Sequence, residues 1–208
     1  MQSIIQKELA SHLQAVTSVI ASMSSQIEAA GRLVTQTLER GNKVLLLGNG
    51  GSAAEAQHIA AELTGRFRCD RAGLPAIALT TDTSALTAIA NDYGFENIFS
   101  RQIEALAVHH DLVIGYSTSG NSPNVVNALE TGRRIGARTI GFTGNRGGQM
   151  NQHCDICLAV PSSDAARIQE IHLLLGHVVC HLCESALFPT ADRPGSTNTL
   201  TAIHREAA

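Results

Sequence analysis

The chain has 208 residues, of which 44% are apolar and 16% charged, and its formal net charge is -3. That length suits one domain with a substantial core, and the balance excludes a disordered polyelectrolyte. Basic residues form no run, which removes the electrostatic footprint of a nucleic-acid or anionic-membrane binder, and aromatics at 3% with no Trp offer no stacking platform for single strands. No apolar run approaches the ~18 residues of a membrane span. The opening "MQSIIQKELASHLQ" has charged and polar residues where a signal peptide needs its apolar core, so the expected location is cytoplasmic. Small molecules or proteins are the expected partners, with no nucleic acid and no membrane.

Residues 3–40 lack glycine until Gly31 and place aliphatics at helical spacing, Ile5, Leu9, Leu13, Val16 and Ile20 among them. This predicts one long helix and a second ending near Gly41. Five continuous aliphatic runs follow, "KVLLLG" 43–48, "PAIALT" 75–80, "DLVIGY" 111–116, "RTIGFT" 138–143 and "DICLAV" 155–160. They have the character of parallel strands covered on both faces. Helical segments alternate with them over 52–65, 84–107, 122–135 and, briefly, 145–152, and a long helix follows over 164–188. The pattern implies an α/β fold: a five-stranded parallel sheet sandwiched by helices, doubly wound and flavodoxin-like, with an N-terminal helical pair. Residues 1–188 form one domain in this reading. The polar stretch 189–208, broken by prolines, forms an extension expected to be mobile or docked on a partner. Ligands of such sheets bind beyond the carboxyl ends of the strands near a topological switch point, which directs attention to the loops after 48, 80, 116, 143 and 160.

Five cysteines include Cys154/Cys157 and Cys180/Cys183, each at the Cys-x-x-Cys spacing that a structural zinc site can use. A zinc knuckle needs a tight turn, whereas "CDICLAV" has the pattern of a buried strand and "GHVVCHLCESALF" that of an amphipathic helix. Buried free thiols are therefore expected. The odd Cys69 and the cytoplasmic setting argue against disulfides.

The loop after the first strand, Gly48-Asn49-Gly50-Gly51-Ser52, allows close backbone approach, and Ser52 can cap the next helix, an arrangement suited to an anionic ligand. It is not a dinucleotide fingerprint, because Ala53 occupies the third glycine position and the second strand ends in "LTTDT" without a clear ribose-binding acid. A P-loop would need a lysine. The same residues would also serve as a plain strand-to-helix turn. The third strand runs into "STSGNS", where the hydroxyls of Ser117, Thr118, Ser119 and Ser122, with backbone N–H groups, can surround a phosphate. Pro123 then fits the first turn of a helix. Such loops are often turns alone, but its place at the carboxyl end of a central strand favours the phosphate.

His58 and Glu62 lie four apart on one helix face, a spacing that can ligate a metal and that also occurs in ordinary surface pairs. On the C-terminal helix, Gln169 and His177 share a stripe two turns long. Imidazole and carboxylate suit zinc, and a Gln amide is a weaker, harder ligand. Whether the two helices meet is left open by the spacing.

The segments "GNGGSAAEAQHIAAELTGRF", "LTAIANDYGFENIFSRQIEAL", "GYSTSGNSPNV", "GFTGNRGG" and "ARIQEIHLLLGH", taken in order, resemble the bacterial sedoheptulose 7-phosphate isomerases, or phosphoheptose isomerases, of the sugar isomerase (SIS) domain superfamily. The resemblance covers about residues 1–188 and implies the same five-stranded sheet. It implies a substrate loop at Asn49, Gly50, Gly51 and Ser52, further contacts at Asn91 and Asp92, and a phosphate cradle at Ser117, Thr118, Ser119 and Ser122. It further implies zinc ligands at His58, Glu62, Gln169 and His177, with one Zn2+ per subunit, and Glu62 and Gln169 also touching substrate. Glu62 and His177 would be the acid/base pair, and the chain would form a homotetramer with sites near subunit interfaces.

The implied reaction converts sedoheptulose 7-phosphate to D-glycero-D-manno-heptose 7-phosphate, the first step of ADP-heptose synthesis for the lipopolysaccharide core. It needs a base to carry a proton between C1 and C2 through an enediol and an acid to serve the oxygens. The alternative is a non-catalytic SIS-domain tetrameric scaffold that binds the DnaA replication initiator. Such a scaffold has no need of a carboxylate at 62 or an imidazole at 177.

Overall fold

The computed structural model describes residues 1–189. Its strands are β1 (Val44–Gly48), β2 (Ala76–Ala78), β3 (Leu112–Ser117), β4 (Arg138–Thr143) and β5 (Ile156–Ala159), all parallel, in the order β2-β1-β3-β4-β5. This is the flavodoxin-like order, with its switch point between β1 and β3. The helices are α1 (Gln2–Ser22), α2 (Ser24–Glu39), α3 (Gly51–Thr64), α4 (Thr83–Tyr93), α5 (Ser100–Leu106), α6 (Pro123–Ile135) and α7 (Ala165–Leu187).

Alternation along the central strands divides the core in two. Val44, Leu46, Leu112, Ile114 and Tyr116 pack with α2, α3 and α7 on one face, whereas Leu45, Leu47 and Val113 pack with α5 and α6 on the other. Both faces of β1 and β3 are thus buried, as their unbroken aliphatic runs require.

Several boundaries differ from the sequence-based expectations. The run 75–80 yields only the three residues of β2, because this edge strand pairs with β1 alone and Ile77 faces solvent. After Leu79 the chain turns, and Asp82 caps α4 by accepting from the Ala85 N–H at 2.9 Å. The expected helix over 84–107 breaks at Gly94, whose φ of 89° stops α4, and resumes through a 3-10 turn at Phe95–Asn97 as α5. No residue of α4 is buried. In the 145–152 segment only Gln149–Gln152 is helical, since Gly147 and Gly148 both take positive φ. β5 is an edge strand of which only Leu158 is fully buried, so Cys157, like Cys154 just before the strand, is half-buried where full burial was expected.

The apolar stripe of α1 points outward. Leu9 and Leu13 are 67% and 66% exposed, Ile5 and Ile20 are similarly bare, and only Ala15 and Val19 of this helix are buried. Cys180 and Cys183 are buried in α7, and no metal-binding group among the described residues includes a cysteine. No described helix is long and apolar enough to cross a membrane. The extension assigned to 189–208 lies outside the described residues from 190 onward.

Candidate active site

The site begins where β1 and β3 lie side by side and the chain leaves them toward opposite faces. After β1, Gly50 takes a φ of 57° as the residue before α3, and Ser52, in its first turn, is buried. A Cβ at Gly48 would lie 2.7 Å from the Ser52 carbonyl oxygen, and one at Gly51 would lie 2.5 Å from Gln169 Nε2. Glycine at 51 therefore lets α7 lay its glutamine on the start of α3.

After β3, the Ser117 hydroxyl lies 2.9 Å from that of Ser122 and 3.4 Å from that of Ser119. Thr118 uses its carbonyl to accept from Gly144 N–H at 3.0 Å, which ties the cradle to the turn after β4. Gly120, at φ 67°, sits against the Gly147 carbonyl, where no side chain fits. Pro123 opens α6 behind Ser122 as expected. The four hydroxyl residues thus surround one turn at the carboxyl end of the central strand. The loop after β1 is locked to the first turn of α6 by Asn49 and the buried Asn124, whose side-chain amides exchange two hydrogen bonds of 2.8 Å.

Of the pair expected on α7, His177 meets His58 and Glu62 of α3. His58 Nε2 lies 2.8 Å from His177 Nε2 and 3.3 Å from Glu62 Oε1, and one donor atom from each residue falls within 4.8 Å of the others. Burial lowers the His177 pKa, as does the neighbouring His58, and Glu62 only partly opposes them. A neutral imidazole with an available lone pair is the form a metal needs. Two imidazoles and a carboxylate converging from two helices are a donor set that fits zinc.

Of the remaining predicted residues, Gln169 packs its amide on Gly51 at the head of α3. Asn91 and Asp92 stand exposed at the end of α4, bonded to each other at 2.7 Å. Sequence reasoning missed Asn124, which lies just beyond "STSGNS" and reads there as an ordinary helix residue. It also did not single out Glu55 and His172, which face each other in the interior between α3 and α7 without a hydrogen bond. The His172 ring reaches Glu55 Oε2 at 3.6 Å and the Thr143 carbonyl at 3.2 Å. His172 lies three residues from Gln169, a helical spacing that places it near the same face and could have signalled it.

The SIS domain family model matches residues 9–144, from α1 through β4. Relatives named phosphoheptose isomerase align over most of the chain. The one from Aliarcobacter butzleri is 57% identical over 187 residues, which is 90% of this chain and 99% of the relative.

The chain belongs to the phosphoheptose isomerases of the SIS domain family.

Solved structures agree. The phosphoheptose isomerase of Neisseria gonorrhoeae superposes with a TM-score of 0.84 at 42% identity, and that of Francisella tularensis with 0.86 at 36%. Each covers 88% of this chain and 98% of its own. The family-model match takes in the glycine loop, His58, Glu62 and the serine cradle. Gln169 and His177, on α7, lie beyond it, in the region that the longer phosphoheptose isomerase alignments reach.

Proposed function

We infer that this phosphoheptose isomerase converts sedoheptulose 7-phosphate to D-glycero-D-manno-heptose 7-phosphate, supplying the first step of ADP-heptose synthesis for lipopolysaccharide. The observation that carries the reading is the meeting of Glu62 and His177, from α3 and α7, around His58. The serine cradle would take the phosphate, with the hydroxyls and peptide N–H groups of 117–122 as donors. The Asn49–Gly51 segment would fix the sugar chain so that its reacting carbons face Glu62. Asn91 and Asp92 would add contacts from the end of α4.

Glu62 is the base in this scheme. It removes the proton from C1 of the ketose and returns it to C2, and His177 passes protons between the two oxygens as the enediol forms and collapses. His58, Glu62 and His177, with Gln169 as fourth donor, would hold one zinc ion per subunit. When bound, zinc supplies Lewis-acid polarisation of the carbonyl. A carboxylate engaged with a cation is a weaker base, so Glu62 would accept the proton on its second oxygen or swing free to do so.

The outward stripe of α1 supports a homotetramer in which neighbouring subunits cover it and approach the site. Cytoplasmic location fits the substrate. A DnaA-binding scaffold is not favoured, because the chemistry at 58, 62 and 177 is intact.

Incubation of the purified protein with sedoheptulose 7-phosphate, with and without added zinc, tests the activity directly; aldoheptose phosphate is the expected product. In Glu62→Gln, kcat should fall by at least ~100-fold with substrate binding retained. Near-normal turnover in that variant would remove Glu62 from the role of base.

A further inference from the structure

The segment between α3 and β2 has no regular structure, yet a buried ion pair fixes it to α7. Glu184, about two turns beyond His177, accepts from the N–H groups of Phe67, Arg68 and Cys69 at 3.2, 2.7 and 3.2 Å. Three consecutive peptide groups thus cradle one carboxylate. A fourth bond comes from Arg71 Nε at 2.8 Å, and the two side chains are only 1% and 4% exposed. The rest of the guanidinium faces the end of α3. Nη2 donates to the Glu62 carbonyl at 2.8 Å, and Nη1 to those of Leu63 at 2.9 Å, Gly65 at 3.3 Å and Ala72 at 3.0 Å. Helix ends leave such carbonyls without intrahelical partners, and their partial negative charge favours a cation.

This clasp reaches the site in two ways. It anchors the main chain of Glu62, and it holds Phe67 with its ring stacked on the His177 imidazole, centroids 5.4 Å apart and planes 21° from parallel. His58 meets the same imidazole edge-on at 5.0 Å, so the His177 ring is gripped on two sides. A buried ion pair is weak evidence for net stability, because desolvation offsets most of its attraction. What it does here is fix where α3, α7 and the intervening loop stand relative to one another.

We propose that Arg71, Glu184 and Phe67 are positioning residues for the isomerase: the ion pair fixes the loop, and the Phe67 ring that the loop lays on His177 sets the orientation in which that imidazole serves metal and substrate. The proposal rests on the reading of Glu62 and His177 as acid/base and metal residues. Arg71 and Glu184 are buried, and their variants risk failing to fold. Phe67 is only partly buried and carries the test.

Three quantities are compared in wild type, Phe67→Ala and Phe67→Tyr: kcat and KM, zinc affinity by competition with a chromophoric chelator, and the thermal midpoint. In Phe67→Ala, zinc affinity and kcat should each fall by roughly 10- to 100-fold with little change in KM, the range seen when the groups that orient metal ligands are removed. Phe67→Tyr keeps the stacked ring and should restore both to near wild-type values. Wild-type kcat and zinc affinity in a folded Phe67→Ala would overturn the proposal while leaving the isomerase reading intact, as would a loss that Phe67→Tyr fails to restore. A wild-type protein that neither isomerises the sugar phosphate nor binds zinc would remove the underlying reading, and the proposal with it.

Discussion

Asn49 and Asn124 form a closed ring of two amide–amide hydrogen bonds, 2.8 Å in each direction, across the switch point of the sheet. One residue belongs to the loop after β1 and the other to the first turn of α6 after the serine cradle. Each amide engages the other, so in the proposed reading the Asn49 side chain stays with Asn124 and the loop would offer its backbone to the ligand. Replacing Asn124 by Ala leaves the Asn49 amide unpaired. The expected cost is about 1–3 kcal/mol of stability, read by urea denaturation, together with a raised KM as the two loops lose their common register. An unchanged KM would show that the loops hold their relation without the pair.

The exposed stripe of α1 makes assembly testable. Leu9→Asp combined with Leu13→Asp places charge where subunits are expected to meet, and size-exclusion chromatography with light scattering should then report a smaller species than wild type. Retention of the wild-type mass would move the contact surface elsewhere.

The cysteines should separate by reactivity. Burial first, and then neighbouring charge, pushes the Cys180 thiol up to about 12; burial likewise pushes Cys183 up to about 11. At Cys157 the hydrogen bond from Cys154 lowers the pKa, and Cys154 is raised in consequence. In native protein at about pH 8, iodoacetamide should modify Cys157 before Cys154, Cys180 or Cys183, because the thiolate is the reacting form. Mass spectrometry of the digest reads the order, and early labelling of Cys180 would contradict it.

Two carboxylates should make stability fall in acid. Burial alone would raise Asp111 and Glu184, but hydrogen bonds outweigh it: for Asp111 from the N–H and ammonium of Lys43, Val108 N–H and the Asn42 amide, and for Glu184 from the N–H groups of Arg68 and Phe67, Arg71 and Cys69 N–H. Both pKa values therefore lie below the ordinary 3.8 and 4.5. A folded pKa below the unfolded one gives stability that is fully present above the unfolded value and lost as pH falls through the folded value. The urea midpoint should hold from neutral pH to about pH 5 and drop toward about pH 3. A flat midpoint over that range would mean that neither carboxylate is held as described.

Much of this architecture is legible in the sequence because β1 and β3 are buried on both faces and carry unbroken aliphatic runs. The misses have physical causes. β2 is an edge strand whose apolar residues extend beyond its pairing, and one glycine at positive φ divides α4 from α5. The spacing of His58 and Glu62, and of Gln169 and His177, marked each pair as a candidate, but the meeting of His177 with His58 and Glu62 depends on packing between helices more than a hundred residues apart. Arg71 and Glu184 show no local pattern at all, since the signal of a buried ion pair lies in its partner. The stripe of α1 displayed its period plainly, yet periodicity cannot tell a core-facing helix from one that turns its stripe outward.

His58 and His177 are separated by 119 residues, and the helix carrying His177 follows every strand of the sheet. During synthesis, β1 through β5 emerge before α7 does, while the inner face of α2, with Leu33, Val34 and Leu38, has yet to receive the helix it packs against. A domain folds as a unit, and uncovered apolar surface on a partly made chain invites aggregation. Docking of α7 therefore both covers that surface and brings His177 to His58 and Glu62. A nascent chain halted before this helix would lack His177 and would keep the apolar face of α2 uncovered.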